Sequence, residues 1–377
     1  MTQKECKFPP RKECKFPPRK ECKFPPRKEY LIIYHKEDND GVFSAAIIED
    51  YILNNLHIPL EDLVFIGADY NMLNEFMQDE HNSPKQLHED FKRIIMTDIS
   101  FNNSKFMNNL YKEFGDDFIW IDHHAPIIKE SYRLTFGKCP GIRDTQRSAI
   151  LNMWKFLYDP FDEAYNEKKV PELLRILSAW DSWTYEKEGY EADYVRNVNK
   201  GTTIKYNLEL GKARELIHNL VDVYINGKST HGMSEVFKDE YIIRELHEFG
   251  KQLNDYDDII NKGIIETAGD KSWEIILYDE DKPEHPLVRK CCVIFHQGAT
   301  NSLMFKSLRN TDIRNGVIFK HNPSGTWTIS LYNINDDDWF HCGEYLKEKY
   351  KGGGHKGAAG CQVTQKQFIK ILNSKTI

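Results

Sequence analysis

The chain has 377 residues, 40% hydrophobic and 29% charged, a balance that fits a soluble globular protein too long for one small core. Its formal charge of −7 is uneven, because residues 1–29 hold ten Lys/Arg against four Glu and leave the body more acidic still. An acidic body argues against a broad basic face for long duplex nucleic acid, but not against short or metal-bridged phosphates, because bound cations reverse the local field.

Residues 4–27 are three copies of Lys-Glu-Cys-Lys-Phe-Pro-Pro-Arg. Paired prolines forbid a helix, so residues 1–29 read as a disordered tail. The sharper alternative is a basic arm with Phe8, Phe16 and Phe24 as stacking side chains. No apolar run precedes residue 30, which argues against a secretory signal, and no stretch reaches the ~20 residues of a membrane span. Eight cysteines without a C-x-x-C spacing read as reduced thiols of a cytoplasmic protein.

Short apolar runs at 31–34, 94–96 and 118–121 predict buried strands, with a further strand at 64–68. Helical patterns at 42–53, 74–78 and 104–114 separate them. Alternation of this kind implies right-handed crossovers and a parallel sheet. Helices over 148–158 and 171–180 then lead to Asp181. Residues 185–271 read as a helical linker or insertion, with helices over 213–225 and 235–261. From 272 to 377 the pattern changes to strands at 274–278, 290–295, 316–320 and 326–332, a helix over 339–350 and a glycine-rich loop. The fold class expected is α/β: a parallel-sheet domain over 30–184, the helical linker, and a smaller mixed α/β domain.

Chemistry concentrates where strands end. His35, Asp38 and Asp40 follow the first run, Asp98 the second, and Asp122, His123 and His124 the third. Open α/β sheets place their sites at this carboxyl edge. Singly, Asp98 reads as an N-cap and Asp181 as a cap or a satisfied polar residue. Together, carboxylates with some imidazole and no thiolate suit Mn²⁺, Mg²⁺ or Co²⁺. Six ligands suffice for two ions about 3.5–4 Å apart that share a carboxylate. The predicted chemistry is metal-assisted hydrolysis of a phosphate ester or anhydride. Gly41 reads as permitting a tight turn. Arg147 is a surface ion-pair partner or an anion clamp, and Ser148 a helix cap. In the loop over 351–360, Gly353 and Gly354 can turn backbone N–H groups on an anion, with His355 as a further donor and a helix packed behind the short alanines.

These segments resemble a known family. Tyr34 to Gly41, Thr97 to Phe101, Ile121 to His124 and Ala179 to Trp183 are similar, in order, to the four motifs of the DHH phosphoesterase superfamily. Lys351 to Gly360 resembles the glycine-rich signature of the DHHA1 domain that follows. The resemblance implies that His35 and Asp38 bind one Mn²⁺, that Asp40, His123 and Asp181 bind a second, and that Asp98 bridges them. It implies a catalytic His124 facing the phosphate and an Asp122 that orients a histidine. In nucleotide-directed members an arginine stands near the position of Tyr332, which can stack on a base but cannot neutralise a phosphate.

The activity expected is an exonuclease of the nano-RNase type, in which a two-metal-activated hydroxide cleaves short single-stranded oligonucleotides. The alternatives are a phosphatase or phosphodiesterase on small nucleotides, and a non-catalytic nucleotide-binding protein. A cytoplasmic location without a membrane partner is expected, with a homodimer as one option.

Overall fold

The computed structural model describes residues 27–158, 170–227, 235–279, 282–298, 302–335, 339–354 and 356–377. All of the threefold repeat but Arg27 lies outside them, as does His355. The architecture is mixed α/β, in two compact units that divide between Lys251 and Gln252.

In the first unit, β1 (Lys28–His35), β2 (Leu63–Ala68), β3 (Phe91–Thr97) and β4 (Phe118–Ile121) form a parallel sheet in the order β2-β1-β3-β4. Parallel pairing requires long crossovers. These are α1 (Asn39–Asn54), then α2 (Tyr70–Gln78) with α3 (Pro84–Asp90), then α4 (Ser104–Phe114). After β4 come α5 (Ala125–Ser131), α6 (Ala149–Tyr158), α7 (Glu172–Asp181), α8 (Ala192–Tyr206), α9 (Leu210–Tyr224) and α10 (Glu235–Ala268), within which the units divide.

Strand residues alternate between two cores, as the twofold period of a strand requires. Tyr30, Ile32, Ile95 and Ile121 pack with α1, α6, α7 and α9. Leu31, Ile33, Ile94, Met96, Phe118 and Trp120 pack on the opposite face with α2 to α5. Burial on both faces explains why these strands read as unbroken apolar runs. Within the stretch read as a linker, Leu210, Ala213, Ile217, Leu220 and Leu246 are buried in the first of these cores. The first four, on α9, have the spacing of an amphipathic helix stripe.

Among its described residues the second unit has six strands: β5 (Asp270–Asp279), β6 (Lys282–Phe295), β7 (Asn315–His321), β8 (Thr326–Asn333), β9 (Gly353–Gly354) and β10 (Ala358–Thr364). Their order is β5-β6-β7-β8-β10-β9, and only the β6–β7 pair is parallel. Helix α11 (Cys342–Tyr350) starts later than the sequence pattern suggests, because the His341 side chain caps it by accepting the Glu344 N–H at 3.1 Å. Helix α12 (Gln365–Ser374) closes the chain with a capping box on Thr364 and Gln367. The alanines expected to admit a helix begin β10, pairing Ala358 with Tyr332 and Ala359 with Leu331, and Ala359 is buried in one core with Cys342 and Leu346 of α11.

Candidate metal centre

Strand β1 lies between β2 and β3, so the winding of the sheet reverses there. Such a switch point opens a crevice at the carboxyl ends of its two strands. His35 ends β1, while Asp98 and Asp122 directly follow β3 and β4. Asp38 is the N-cap of α1 and accepts the Gly41 N–H at 2.9 Å. Asp181 is the last residue of α7.

Fold and crevice bring the scattered ligand candidates into two overlapping groups. His35 Nδ1 stands 2.7 Å from Asp38 and 3.5 Å from Asp98. His123 Nε2 stands 3.2 Å from Asp98, 3.2 Å from Asp181 and 3.7 Å from Asp40. The sets His35–Asp38–Asp98 and Asp40–His123–Asp181 each hold donor atoms within 4.8 Å of one another, and a third set joins Asp98 to His123 and His124.

Several features fit these donors to divalent cations. Asp98 is 2% exposed, and neither carboxylate oxygen receives a hydrogen bond of good geometry. Asp181 Oδ2 is likewise buried without one. Burial, and after it the charge of Asp40, pushes both Asp98 and Asp181 well above the usual carboxylate range. Asp181 also lies at a helix C-terminus, the wrong end for an anion. Burial disfavours a charged His35, but hydrogen bonds to Asp38 and Asp98 outweigh it and push the ring up to about 11. Burial likewise opposes protonation of His123, and the nearby Asp181 and Asp40 overcome it. Buried carboxylates gathered this closely lack positive charge, which oxygen-loving cations supply. Asp98 adopts φ +57°, a left-handed conformation that Asp tolerates. It is not an N-cap, since Asn103 caps α4.

Asp122 behaves differently. It is fully buried, and Oδ1 accepts the N–H groups of His123 (2.7 Å) and His124 (3.1 Å). His124 Nδ1 contacts the same oxygen at 2.7 Å, and Trp120 Nε1 donates to Oδ2 at 3.1 Å. Burial would raise its pKa, yet His124 and His123 hold it below the ordinary value. An ionised Asp122 fixes the tautomer that protonates His124 at Nδ1 and leaves Nε2 available.

Sequence reasoning misread Gly41 and missed a cap. A Cβ on Gly41 would lie 2.0 Å from the His35 carbonyl oxygen, so close approach of α1 demands glycine, rather than turn flexibility. Helix α6 is not capped by the Ser148 side chain, whose oxygen has no hydrogen-bond partner. Asp40 caps it instead, accepting the N–H groups of Ala149 (2.7 Å) and Ile150 (2.9 Å). No local signal announces such a long-range cap.

Arg147 pairs with Asp144 at 2.9 Å, outside the ligand groups. Asp144 also lines a cleft of about 430 Å³ with Ala125, Lys129, Tyr132 and Arg143, beginning at the residue after His124. In the second unit, Gly353 and Gly354 pair with Gly360 and Ala359 as β9. A Cβ on Gly354, at φ +140°, would meet the Ala358 carbonyl at 2.6 Å. The Tyr332 ring is buried against Phe305 rather than presented for stacking.

No protein-family model matches the chain, and no curated protein matches it. Solved structures overlap with it more loosely. A pGpG-specific phosphodiesterase, PggH, from Vibrio cholerae is 12% identical, with a TM-score of 0.42 over 92% of this chain and 97% of that one. An exopolyphosphatase-related protein from Bacteroides fragilis is 13% identical, with a TM-score of 0.44 over 92% and 91%. An uncharacterized protein from Helicobacter pylori G27 is 14% identical, with a TM-score of 0.32 over 93% and 99%. Overlap at this level assigns no chemistry, which rests on the side chains.

Proposed function

We propose that the protein is a metal-dependent phosphoesterase of the DHH kind that hydrolyses phosphodiester bonds in short oligonucleotides. The observation that carries this reading is Asp98, buried where the two ligand groups meet, with the ring nitrogens of His35 at 3.5 Å and His123 at 3.2 Å facing its two oxygens. In this reading His35 and Asp38 hold one cation, Asp40, His123 and Asp181 hold the other, and Asp98 serves both. Mn²⁺ suits this oxygen- and imidazole-rich set. Bound divalent cations supply Lewis-acid charge and a water acidic enough to react at neutral pH.

The chain's own contribution is orientation and proton handling. Asp122 anchors His124 through Nδ1, so Nε2 can donate to a phosphoryl or leaving-group oxygen when the ring is protonated. Burial opposes that protonation, and the charge of Asp122 overcomes it. Arg147, Gly353, Gly354 and His355 are proposed to contact substrate.

The test is an assay with Mn²⁺ on labelled di- to pentanucleotides. Release of mononucleotides supports the proposal, and intact substrates at every length overturn it.

A further inference from the structure

Helix α7 ends on Asp181 at the candidate metal centre, and the turn that follows it is unusual. Ser182 N–H donates to the Ser178 carbonyl, and Thr184 N–H reaches back to the Ala179 carbonyl at 3.0 Å. That second bond is the long closing bond of a Schellman motif, whose left-handed position normally carries glycine. Here the position is Trp183, at φ +57°. A bulky aromatic in this backbone region is a genuine outlier. The surrounding turn holds it firmly, through Ser182 Oγ to the Ser178 carbonyl at 2.7 Å and Thr184 Oγ1 to Glu188 at 2.7 Å.

Packing uses only part of the Trp183 ring, which lies 6.3 Å from the Tyr185 ring. The Trp183 ring stacks on Trp180 at 5.8 Å and 25°, yet the residue remains 57% exposed. A large indole is therefore kept largely in water, on strained backbone, two residues beyond a proposed metal ligand. Strain held by an over-determined turn is a mark of a functional position.

We infer that Trp183 is a stacking platform for a nucleobase of the substrate whose phosphate lies at the metal centre. The inference rests on the phosphoesterase reading for the phosphate and adds the base as a recognised group. Aromatic platforms suit single-stranded nucleotides because every base offers a π face, whatever its sequence. Tyr332, which the sequence suggested for this task, is buried. Trp183 is an exposed aromatic in the turn that directly follows Asp181.

The backbone geometry provides a discriminating test. Glycine adopts positive φ without steric cost. Trp183→Gly is therefore expected to melt at the same temperature as the wild type or higher, while losing base recognition. Calorimetric titration with adenosine 5′-monophosphate and with ribose 5-phosphate measures that recognition. The wild type is expected to prefer the base-bearing ligand by roughly ten-fold. Trp183→Gly should lose the preference and Trp183→Phe should keep most of it. In turnover of a dinucleotide, the glycine variant should show its defect in KM more than in kcat.

Unchanged preference in Trp183→Gly overturns the platform, and so does a lowered melting temperature, which would make Trp183 a packing residue. A wild type that cleaves no oligonucleotide but shows the tryptophan-dependent preference removes the hydrolase reading and leaves the platform standing. Hydrolysis with no base preference does the reverse.

Discussion

Asp40 Oδ2 accepts the backbone N–H of Ala149 at 2.7 Å, across 109 residues of sequence. The same oxygen stands 3.7 Å from His123 Nε2. One carboxylate thus docks α6 onto α1 and faces the candidate metal centre. A proposed metal ligand is thereby restrained by a helix terminus.

Removing Asp40 should therefore damage fold and site together. Asp40→Ala leaves two buried N–H groups without acceptors, at a cost of about 1–3 kcal/mol. Asp40→Asn retains one oxygen and should recover part of that stability without recovering Mn²⁺ affinity. Urea unfolding in EDTA measures the first effect and calorimetric Mn²⁺ titration the second. Equal Mn²⁺ affinity in wild type and Asp40→Asn would remove Asp40 from the ligand set.

Asp98→Asn should act with opposite signs on the two states of the protein. Without metal, Asp98 is a buried carboxylate disfavoured by burial and then by Asp40 and Asp38, with His35 at 3.5 Å offsetting only part of that. Neutralising it should raise the melting temperature in EDTA, and asparagine tolerates the left-handed backbone that Asp98 adopts. With Mn²⁺ present, the wild type gains stability by linkage while the variant gains much less. Thermal melts with and without Mn²⁺ check both halves. A variant that is less stable without metal and equally stabilised by it contradicts the bridging role.

Gly41→Ala isolates the approach of α1 to β1. The added Cβ would lie 2.0 Å from the His35 carbonyl oxygen and 2.7 Å from its Cβ. Backbone cannot yield as a flexible side chain does, so overpacking should cost about 1–3 kcal/mol or more. Displacement of α1 would also move Asp38 and Asp40, so Mn²⁺ affinity should fall with stability. Denaturant midpoints close to wild type would show that the first turn has room to spare.

The strands of the first sheet and their parallel pairing were legible because burial on both faces writes apolar runs into the sequence, whereas their order was not. Helix 104–114 was legible to the residue, since its apolar positions Met107, Leu110 and Phe114 repeat at helical spacing. What escaped depends on distant partners. Nothing near Ala149 reveals that Asp40 caps it, and nothing near Gly41 reveals the His35 carbonyl above it. Nor does the sequence around Trp183 declare a left-handed backbone, because glycine is the usual signal for one.

Asp239 gives a pH signature away from the metal centre. Its carboxylate is 3% exposed and joins three helices, accepting the Glu172 N–H of α7 at 2.7 Å and the Tyr224 hydroxyl of α9 at 2.8 Å. Burial raises its pKa above the ordinary 3.8, although both hydrogen bonds oppose the rise. Between 3.8 and the raised value, the folded protein holds a proton that the unfolded chain has released. Stability from this group must then fall as pH rises through that window and level off above it. Asp239→Asn should flatten the fall while keeping an acceptor for both donors. Chemical denaturation at intervals from acid to neutral pH checks the difference in slope, and parallel curves for the two proteins contradict it.

Asp122→Asn separates orientation from binding at the proposed catalytic histidine. Asp122 Oδ1 holds His124 Nδ1 at 2.7 Å, and no ligand group among the described residues includes Asp122. Burial lowers the His124 pKa, and the Asp122 charge is the largest influence raising it again. Loss of that charge should therefore shift the ring titration to lower pH, visible in the histidine proton resonances of metal-free protein. The ring also loses its fixed tautomer, so kcat on a dinucleotide should drop about 10–100-fold. Mn²⁺ affinity should change far less than in Asp98→Asn, because the ligands themselves remain. KM should stay close to wild type, since the phosphate is held by charges that the substitution leaves in place. A variant with normal kcat despite a shifted His124 titration would relieve His124 of its catalytic assignment while leaving the six ligands intact.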